Sequence, residues 1–399
     1  LWGVGFVSAP LTTCRLDAGV EPAGGVFHTQ DMIRIATILA VLAALIPVSP
    51  AAAQARLDLV RLPAGFKIEL YVRVPGARSM AVADSLGVVF VGTRSDSVYA
   101  VIDGDRDGRA ERVDRVLEGL KVANGIDWKD GWLYVAEQHR VVRFAAPDLK
   151  TLARAEPEIL FEGLPDNPWH GWRYARFGPD GKFYIAVGSP CNVCRVKGLE
   201  GTIIRMVRQG GKPEIFASGV RNSVGFDFQL GTGELYFTDN GADMMGDDSP
   251  PDELNHAPHK GLWFGFPYYG GGGDRTPDFQ GREVPRPAVF PVVDLNAHVA
   301  SLGISFYRGA MFPPAYKGDA FIAEHGSWNR TIPDGYRVMR VRFDRRTKKA
   351  LGKEIFADGW LQEGESWGRP VDVKELGDGS LLISDDRLGA LYRITYSGP

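Results

Sequence analysis

From Arg56 onward helical periodicity is almost absent, and one short pattern recurs: a turn with glycine, an alternating strand, a break, a second strand. Six copies stand at 84–102 (DSLGVVFVGTRSDSVYAVI), 128–145, 178–188 with 201–207, 231–241, 316–330 with 336–343, and 376–396. Isolated hairpins leave unpaired backbone groups along both edges, so a chain with this many strand-rich units must cover those edges. A radial arrangement does so. Unit spacings of roughly 40 to 85 residues fit propeller blades with loop insertions and exclude a strict WD-type repeat. The expected fold is an all-β, six-bladed β-propeller. The run from Phe66 to Val72 precedes the first copy and is one strand too many for it, so it is expected to complete the last blade and close the ring. The competing arrangement, a pair of β-sandwich domains, does not require such similar hairpins.

The first 55 residues read differently. From Met32 the chain has one arginine, an apolar run from Ile35 to Val48, and small residues ending in Ala53-Gln54-Ala55, the three regions of a secretory signal. The apolar run is short for a membrane span, although an uncleaved anchor is the alternative. The expected organisation is an upstream leader over 1–31, a signal peptide over 32–55, and one propeller domain over 56–399. Such a chain is periplasmic or secreted, with no stable membrane span after cleavage. A formal net charge of −3 excludes the global basic field that gathers nucleic acid. Of three cysteines, Cys14 lies in the leader, and the close pair Cys191 and Cys194 is expected to form a local disulfide in an exported protein. Covalent haem attachment would need a histidine where Arg195 stands, and zinc would need more ligands than this pair.

Three stretches carry residue types suited to chemistry. In NPWHGWRYARFGPDGKFYIAV, the strands 173–177 and 182–187 flank a Gly-Pro-Asp-Gly turn, which places His170 in the loop entering a hairpin. His170 is either a general base or a structural histidine packed between Trp169 and Trp172, and periodicity does not decide between them. In Gly219–Gly225, Arg221 and Asn222 at a strand entry offer a cation and an amide suited to an oxyanion or carboxylate. In DGDRDGRAERVD, Asp103, Asp105, Asp107, Gly108 and Asp114 occupy loop positions 1, 3, 5, 6 and 12, which suits Ca²⁺ or a plain acidic turn at a hairpin tip. Two long inserted loops, Asp239 to Gly273 and His325 to Asp334, are also conspicuous, and loops of such length in a compact domain are usually functional or disordered.

His170 before its GPDGK turn, GVRN at the next unit, the DNG…DDSPPDELN…GFP insertion, EHGSWNR, and GRPVDV…DGSLLISDD occur in an order that resembles the pyrroloquinoline quinone (PQQ)-dependent glucose/sorbosone dehydrogenase family over roughly residues 60–396. The paired cysteines and EHGSWNR look most like its sorbosone dehydrogenase-like branch. The resemblance implies that His170 removes a proton from a substrate hydroxyl while hydride passes to the quinone C5, and that Arg221 and Asn222 hold and polarise PQQ. It also implies that backbone carbonyls of Gly241 and Ala242 bind the Ca²⁺ beneath the cofactor, with Asn240 close to the quinone, Arg369 on a PQQ carboxylate and Asp385 as a cofactor-proximal acid. The family's cofactor-binding lysine has no direct match, and His325 or Arg330 lies nearest. Phe264 stands in place of a tyrosine, and Val371 in place of an arginine, so the carboxylate clamp is incomplete by direct matching.

The activity implied is oxidation of a sugar or sugar-derived aldehyde, with electrons leaving to an external cytochrome or quinone. A Ca²⁺-dependent lactonase propeller would instead need Asp385, Asp239 and Glu324 in the central channel. A non-catalytic carbohydrate-binding propeller would rely on Trp169, Trp172, Trp263 and Trp328.

Overall fold

A computed structural model describes residues 55–398. The leader and the segment 32–54 of the expected signal peptide lie outside the described residues. Six sheets, each built on four antiparallel strands and the third widened by a short parallel fifth strand, succeed one another along the chain as blades of a propeller. The first blade is Met80–Ala83, Val88–Val91, Val98–Ile102 and Arg112–Leu117; the second is Gly125–Lys129, Trp132–Ala136, Val141–Ala145 and Glu158–Phe161. The third is Ala175–Phe177, Phe183–Val187, Thr202–Met206 and Glu214–Ser218; the fourth is Gly225–Phe228, Leu235–Asp239, Pro251–Ala257 and Val293–Ala297. The fifth is Ser301–Phe306, Ala320–Glu324, Arg337–Phe343 and Ala350–Ala357. The sixth is Pro370–Glu375, Leu381–Asp385 and Ala390–Tyr396, completed on its outer side by Phe66–Arg73.

Five of the six copies in the sequence are therefore the central hairpin of a blade, and the copy at 231–241 holds only the second strand of the fourth. A blade's second strand is the most apolar because both of its faces are covered by neighbouring blades: every residue of Phe183–Val187, Ala320–Glu324 and Leu381–Asp385 is buried. The outermost strands, such as Arg112–Leu117 and Ala350–Ala357, meet solvent and are less buried, with exposed and half-buried residues along most of their length. Innermost strands pack side by side around the axis, Met80–Ala83 against both Gly125–Lys129 and Pro370–Glu375.

Ring closure follows the expectation. Phe66–Arg73 pairs antiparallel with Ala390–Tyr396, Phe66 opposite Tyr396 and Ile68 opposite Ile394. Phe66 also sets its ring 4.7 Å from Phe312 and 5.1 Å from Phe356 of the fifth blade's region, contacts worth about 0.5–1.5 kcal/mol each beyond area burial. The closing strand is thus held by side chains as well as by its ladder.

One expectation fails. The stretch Asp239 to Gly273 is no continuous loop, because Pro251–Ala257 is the third strand of the fourth blade. Its acidic residues disguise it. Asp252 accepts hydrogen bonds from the Gly241 and Ser301 amides, and Glu253 from the Gly272 amide. These carboxylates satisfy buried backbone donors that no strand partner reaches. Further on, Leu262–Trp263 pairs in parallel with Ala217–Ser218 and covers the outer edge of the third blade.

Candidate active site

The loops entering the innermost strands, together with those joining each blade's second and third strands, gather around a cavity of about 800 Å³. Arg78, His170, Arg221, Asn222, His298 and Arg369 come to it from entry loops; Arg94, Asn240, Gly241 and His325 come from the second set. Five blades are therefore represented. The floor is apolar: Val224 and Leu302 pack with Val371. Val371 packs against these two and does not itself line the cavity.

His170 is held in an unusual way. Its backbone is left-handed, φ 51°, a conformation rarely adopted outside glycine, which turns the ring away from the following strand. Buried Arg173 steadies the loop by donating to the carbonyls of His170, Gln138 and Pro165. A Cβ at Gly188 would sit 2.5 Å from that of His170, so the next strand can pass this close only with glycine there. His170 Nδ1 lies 3.0 Å from the Ser189 carbonyl oxygen, which can only accept. Nδ1 therefore carries the proton and Nε2 keeps a lone pair. Burial and the Arg221 cation pull this imidazole down to about 3, so it is neutral at ordinary pH. A neutral imidazole with an unprotonated Nε2 is able to accept a proton, and packing between tryptophans is only part of its setting: Trp169 is 51% exposed and Trp172 stacks elsewhere.

Arg221 is almost fully used. Its Nε and two terminal nitrogens donate to the Asn192 carbonyl, Asn192 Oδ1, the Asn240 carbonyl and Asp243 Oδ2, all at 2.7–3.1 Å. Asn222 and Asn240 are linked by their side-chain amides at 3.3 Å, and Asn240 is fixed by the Ser301 carbonyl at 2.8 Å. Gly241 lines the cavity, and among the described residues nothing donates to its carbonyl or to that of Ala242. The nearby carboxylates Asp239 and Asp252 are raised by burial to about 7 and about 6, a setting that a cation would relieve.

A cluster of guanidiniums occupies the other side. Arg78 donates to Asp386 Oδ2 at 2.5 Å, and His325 Nε2 lies 2.8 Å from Asp386 Oδ1. Although burial opposes ionisation, the His325 hydrogen bond and the Arg78 and Arg94 cations hold Asp386 well below the usual carboxylate range. Arg369 is anchored by Nε and one terminal nitrogen on the carbonyls of His325 and Gly326. Arg94 has no hydrogen bond or ion pair with a described residue; its guanidinium lies 3.7 Å from the Trp172 ring centroid. Desolvation and then the Arg78 cation lower it to about 10. Of Arg78, Arg94 and Arg369, only Arg78 is paired with a carboxylate among the described residues, so the three guanidiniums lining the cavity form an arrangement that attracts an anion with several carboxylates.

Several sequence-based assignments change. Asp385 does not face the cavity: its carboxylate caps the Arg387 and Leu388 amides and accepts from the Tyr392 hydroxyl. The next residue, Asp386, is the one that pairs with Arg78 and His325 of the cavity wall, and the acids lining the cavity itself are Asp243 and Asp252. Arg330 holds the Asp247 carbonyl and the Asp248 carboxylate and does not line the cavity. Phe264 is buried against Phe237 in the third and fourth blades, and Trp263 packs on Tyr268, so neither reaches the site. The lactonase set does not assemble, because Asp239 is taken up by the Arg221 and Asn222 amides and Glu324 by Arg337. Arg78, Arg94, His298 and Asp386 escaped the sequence reading; only the position of Arg94 and Asp386 just after a blade's second strand could have pointed to them.

At the hairpin tip, Asp103, Asp105, Asp107 and Glu111 bring one oxygen each within 4.8 Å of one another. Asp114 is not among them. It lies on the following strand, and its carboxylate pairs with Arg112 at 2.9 Å. The sharp turn at Gly108 brings Glu111 back to the tip and leaves Asp114 beyond it. Cys191 and Cys194 form the expected disulfide.

Residues 278–397 match a family model described as TrAA12-like. An uncharacterized protein of Borreliella burgdorferi is 34% identical over 358 residues, which cover 86% of this chain and 93% of that protein. Among solved structures, the holo form of the pyranose dehydrogenase PQQ domain from Coprinopsis cinerea aligns with a TM-score of 0.69 at 18% identity, covering 87% of this chain and 99% of that one. The calcium structure of a Trichoderma reesei family AA12 carbohydrate-active enzyme aligns with a TM-score of 0.71 at 17% identity, over 87% and 100% of the two chains. Those likenesses establish a shared propeller.

Proposed function

The chain belongs to the PQQ-dependent, TrAA12-like sugar dehydrogenase family, and from that premise we propose that it oxidises a sugar or sugar-derived aldehyde with PQQ and Ca²⁺. The observation that carries this reading is the set of three guanidiniums, Arg78, Arg94 and Arg369, of which only Arg78 is paired with a described carboxylate, lining the same cavity as a neutral imidazole whose Nε2 is unprotonated. That donor set fits a flat tricarboxylate. Arg94 and the remaining N–H groups of Arg78 and Arg369 would hold its carboxylates, supplying the charge that direct matching left incomplete. Asn222 and Asn240 would meet its quinone side, and the free carbonyls of Gly241 and Ala242 would ligate Ca²⁺.

When bound, PQQ supplies a two-electron acceptor for hydride. His170 Nε2 accepts the substrate hydroxyl proton, with Nδ1–H held on Ser189, and Arg221 adds positive potential beside it. The apolar floor excludes water from beneath, while Trp169 and Trp328, both lining the cavity, present flat faces to the C–H surface of a sugar. Electrons then leave to an external acceptor. The cysteine pair and EHGSWNR favour the sorbosone dehydrogenase-like branch, and the signal-like leader favours an exported protein.

The test is direct. Purified protein is titrated with PQQ and Ca²⁺, and dye reduction is followed with a panel of aldoses and aldehydes. Saturable cofactor binding with sugar-dependent reduction is expected. A folded protein that does not bind PQQ would refute the reading, and sugar binding without turnover would favour a carbohydrate-binding role for the tryptophan rim.

A further inference from the structure

The disulfide-closed loop stands at the centre of a hydrogen-bond web that the roles above do not explain. From Asn192, the backbone carbonyl accepts Arg221 Nε at 3.0 Å, and Oδ1 accepts both an Arg221 terminal nitrogen and the Asp243 amide at 2.8 Å. Its Nδ2 donates back to the Asp243 carbonyl at 3.0 Å. On the other side of the same loop, Ser189 Oγ donates to the Cys191 carbonyl at 2.7 Å, which leaves that oxygen and the Ser189 carbonyl facing His170 Nδ1 at 3.2 and 3.0 Å. The Ser189 amide in turn donates to the Arg221 carbonyl at 2.8 Å. A four-residue ring closed by Cys191 and Cys194 therefore touches the guanidinium of one site residue directly and the imidazole of the other through Ser189.

We infer that the Cys191–Cys194 loop is the positioning element of the site, with Asn192 as the positioning residue for Arg221 and the Cys191 carbonyl, through Ser189, as the support for His170. The physical argument is one of rigidity. Arg221 and His170 sit in loops of different blades, and a loop of this kind would wander without a cross-link that restricts its backbone. The short ring gives two acceptors and one donor a fixed spacing, so the two site residues move as a unit. Neither Asn192 nor the cysteines line the cavity, which makes their effect indirect.

This inference takes the roles of Arg221 and His170 from the proposed function, and its test separates the two. Asn192→Ala and the double variant C191S/C194S are compared with the wild type after circular dichroism confirms folding. With PQQ and Ca²⁺ present, each is expected to lose kcat by roughly 100-fold, as for a misplacement near 1 Å, with KM for the sugar changed less than about threefold. Asn192→Asp keeps the Oδ1 acceptor for Arg221 and should recover most of the kcat lost in Asn192→Ala. A readout without cofactor stands beside these: ¹⁵N spectra at pH 7 should show His170 as a single Nδ1–H tautomer in the wild type and as a mixture in C191S/C194S, and a slowly exchanging terminal N–H of Arg221, the one donated to Asn192 Oδ1, that is lost in Asn192→Ala. Folded variants with wild-type spectra would overturn the inference even if the enzyme turns over. A wild type that binds no PQQ would instead overturn the proposed function, and the spectra would still decide the role of the loop.

Discussion

The cavity and the acidic hairpin tip are both concentrations of charge, yet they are built in opposite ways. At the tip, four carboxylates come from a single stretch, Asp103 to Glu111, and three of them are exposed. At the cavity, cations arrive from separate blades, and the carboxylates nearby are already engaged by amides or guanidiniums. A local cluster of one sign in solvent is weakly constrained and can be replaced piece by piece. A long-range cluster in a desolvated site is constrained by every blade that contributes, because each charge there depends on the others for its partners.

The sharpest break of this contrast is at the base. His170→Ala should lower kcat by about 10²–10⁴-fold while PQQ still binds by titration; near-normal turnover would remove His170 from its role. Next, Arg94→Ala should weaken PQQ binding by about 10- to 100-fold, since hydrogen bonds to charged groups contribute about 1.5–3 kcal/mol, with the loss read by titration at fixed ionic strength. An unchanged affinity would show that Arg78 and Arg369 suffice.

At the tip the expected effects are smaller. Ca²⁺ added without PQQ should raise Tm by a few degrees, through binding to the native state alone. Glu111→Gln should remove that increment and Asp114→Asn should leave it, as measured by scanning calorimetry; the reverse pattern would restore Asp114 as the ligand.

The smallest effect concerns pH. Burial and the Arg221 cation pull His170 to about 3, and burial, against its Asp386 hydrogen bond, pulls His325 to about 4, whereas both titrate near 6.5 when unfolded. Between those values the unfolded chain binds more protons, so these histidines make stability fall as pH drops through the window from about 6.5 to 4. Asp239, Asp252 and Glu253, raised by burial, tilt stability the other way. The comparison with His170→Gln isolates the imidazole: its slope in urea-derived stability should be flatter by at most about 1.4 kcal/mol per pH unit. Parallel slopes would show that His170 titrates alike in both states.

Much of this molecule is written locally. The second strand of every blade was readable because, covered on both faces, it must be buried and mostly apolar, and in five blades the third strand was readable with it. Closure by the Phe66 strand was readable because a ring leaves one strand to account for. The strand Pro251–Ala257 was hidden because its buried Asp252 and Glu253 serve backbone amides and so look like loop residues. The site divides along the same line. His170, Arg221, Asn222 and Arg369 lie in short segments with recognisable neighbours, while Arg78 and Asp386, separated by 308 positions, meet only when the ring closes.

The repeated hairpin, the glycine turns, the cysteine pair and the entry loop of His170 were legible in the chain because each depends on residues a few positions apart. Which acid pairs with the cavity's Arg78 and His325, Asp386 or Asp385, turns on the direction of one side chain at a strand end. Whether the cation set is complete turns on Arg94 resting over Trp172 of another blade. Those outcomes depend on packing between blades, where desolvation and long-range partners set the charge state and direction of each group, and no local pattern encodes them.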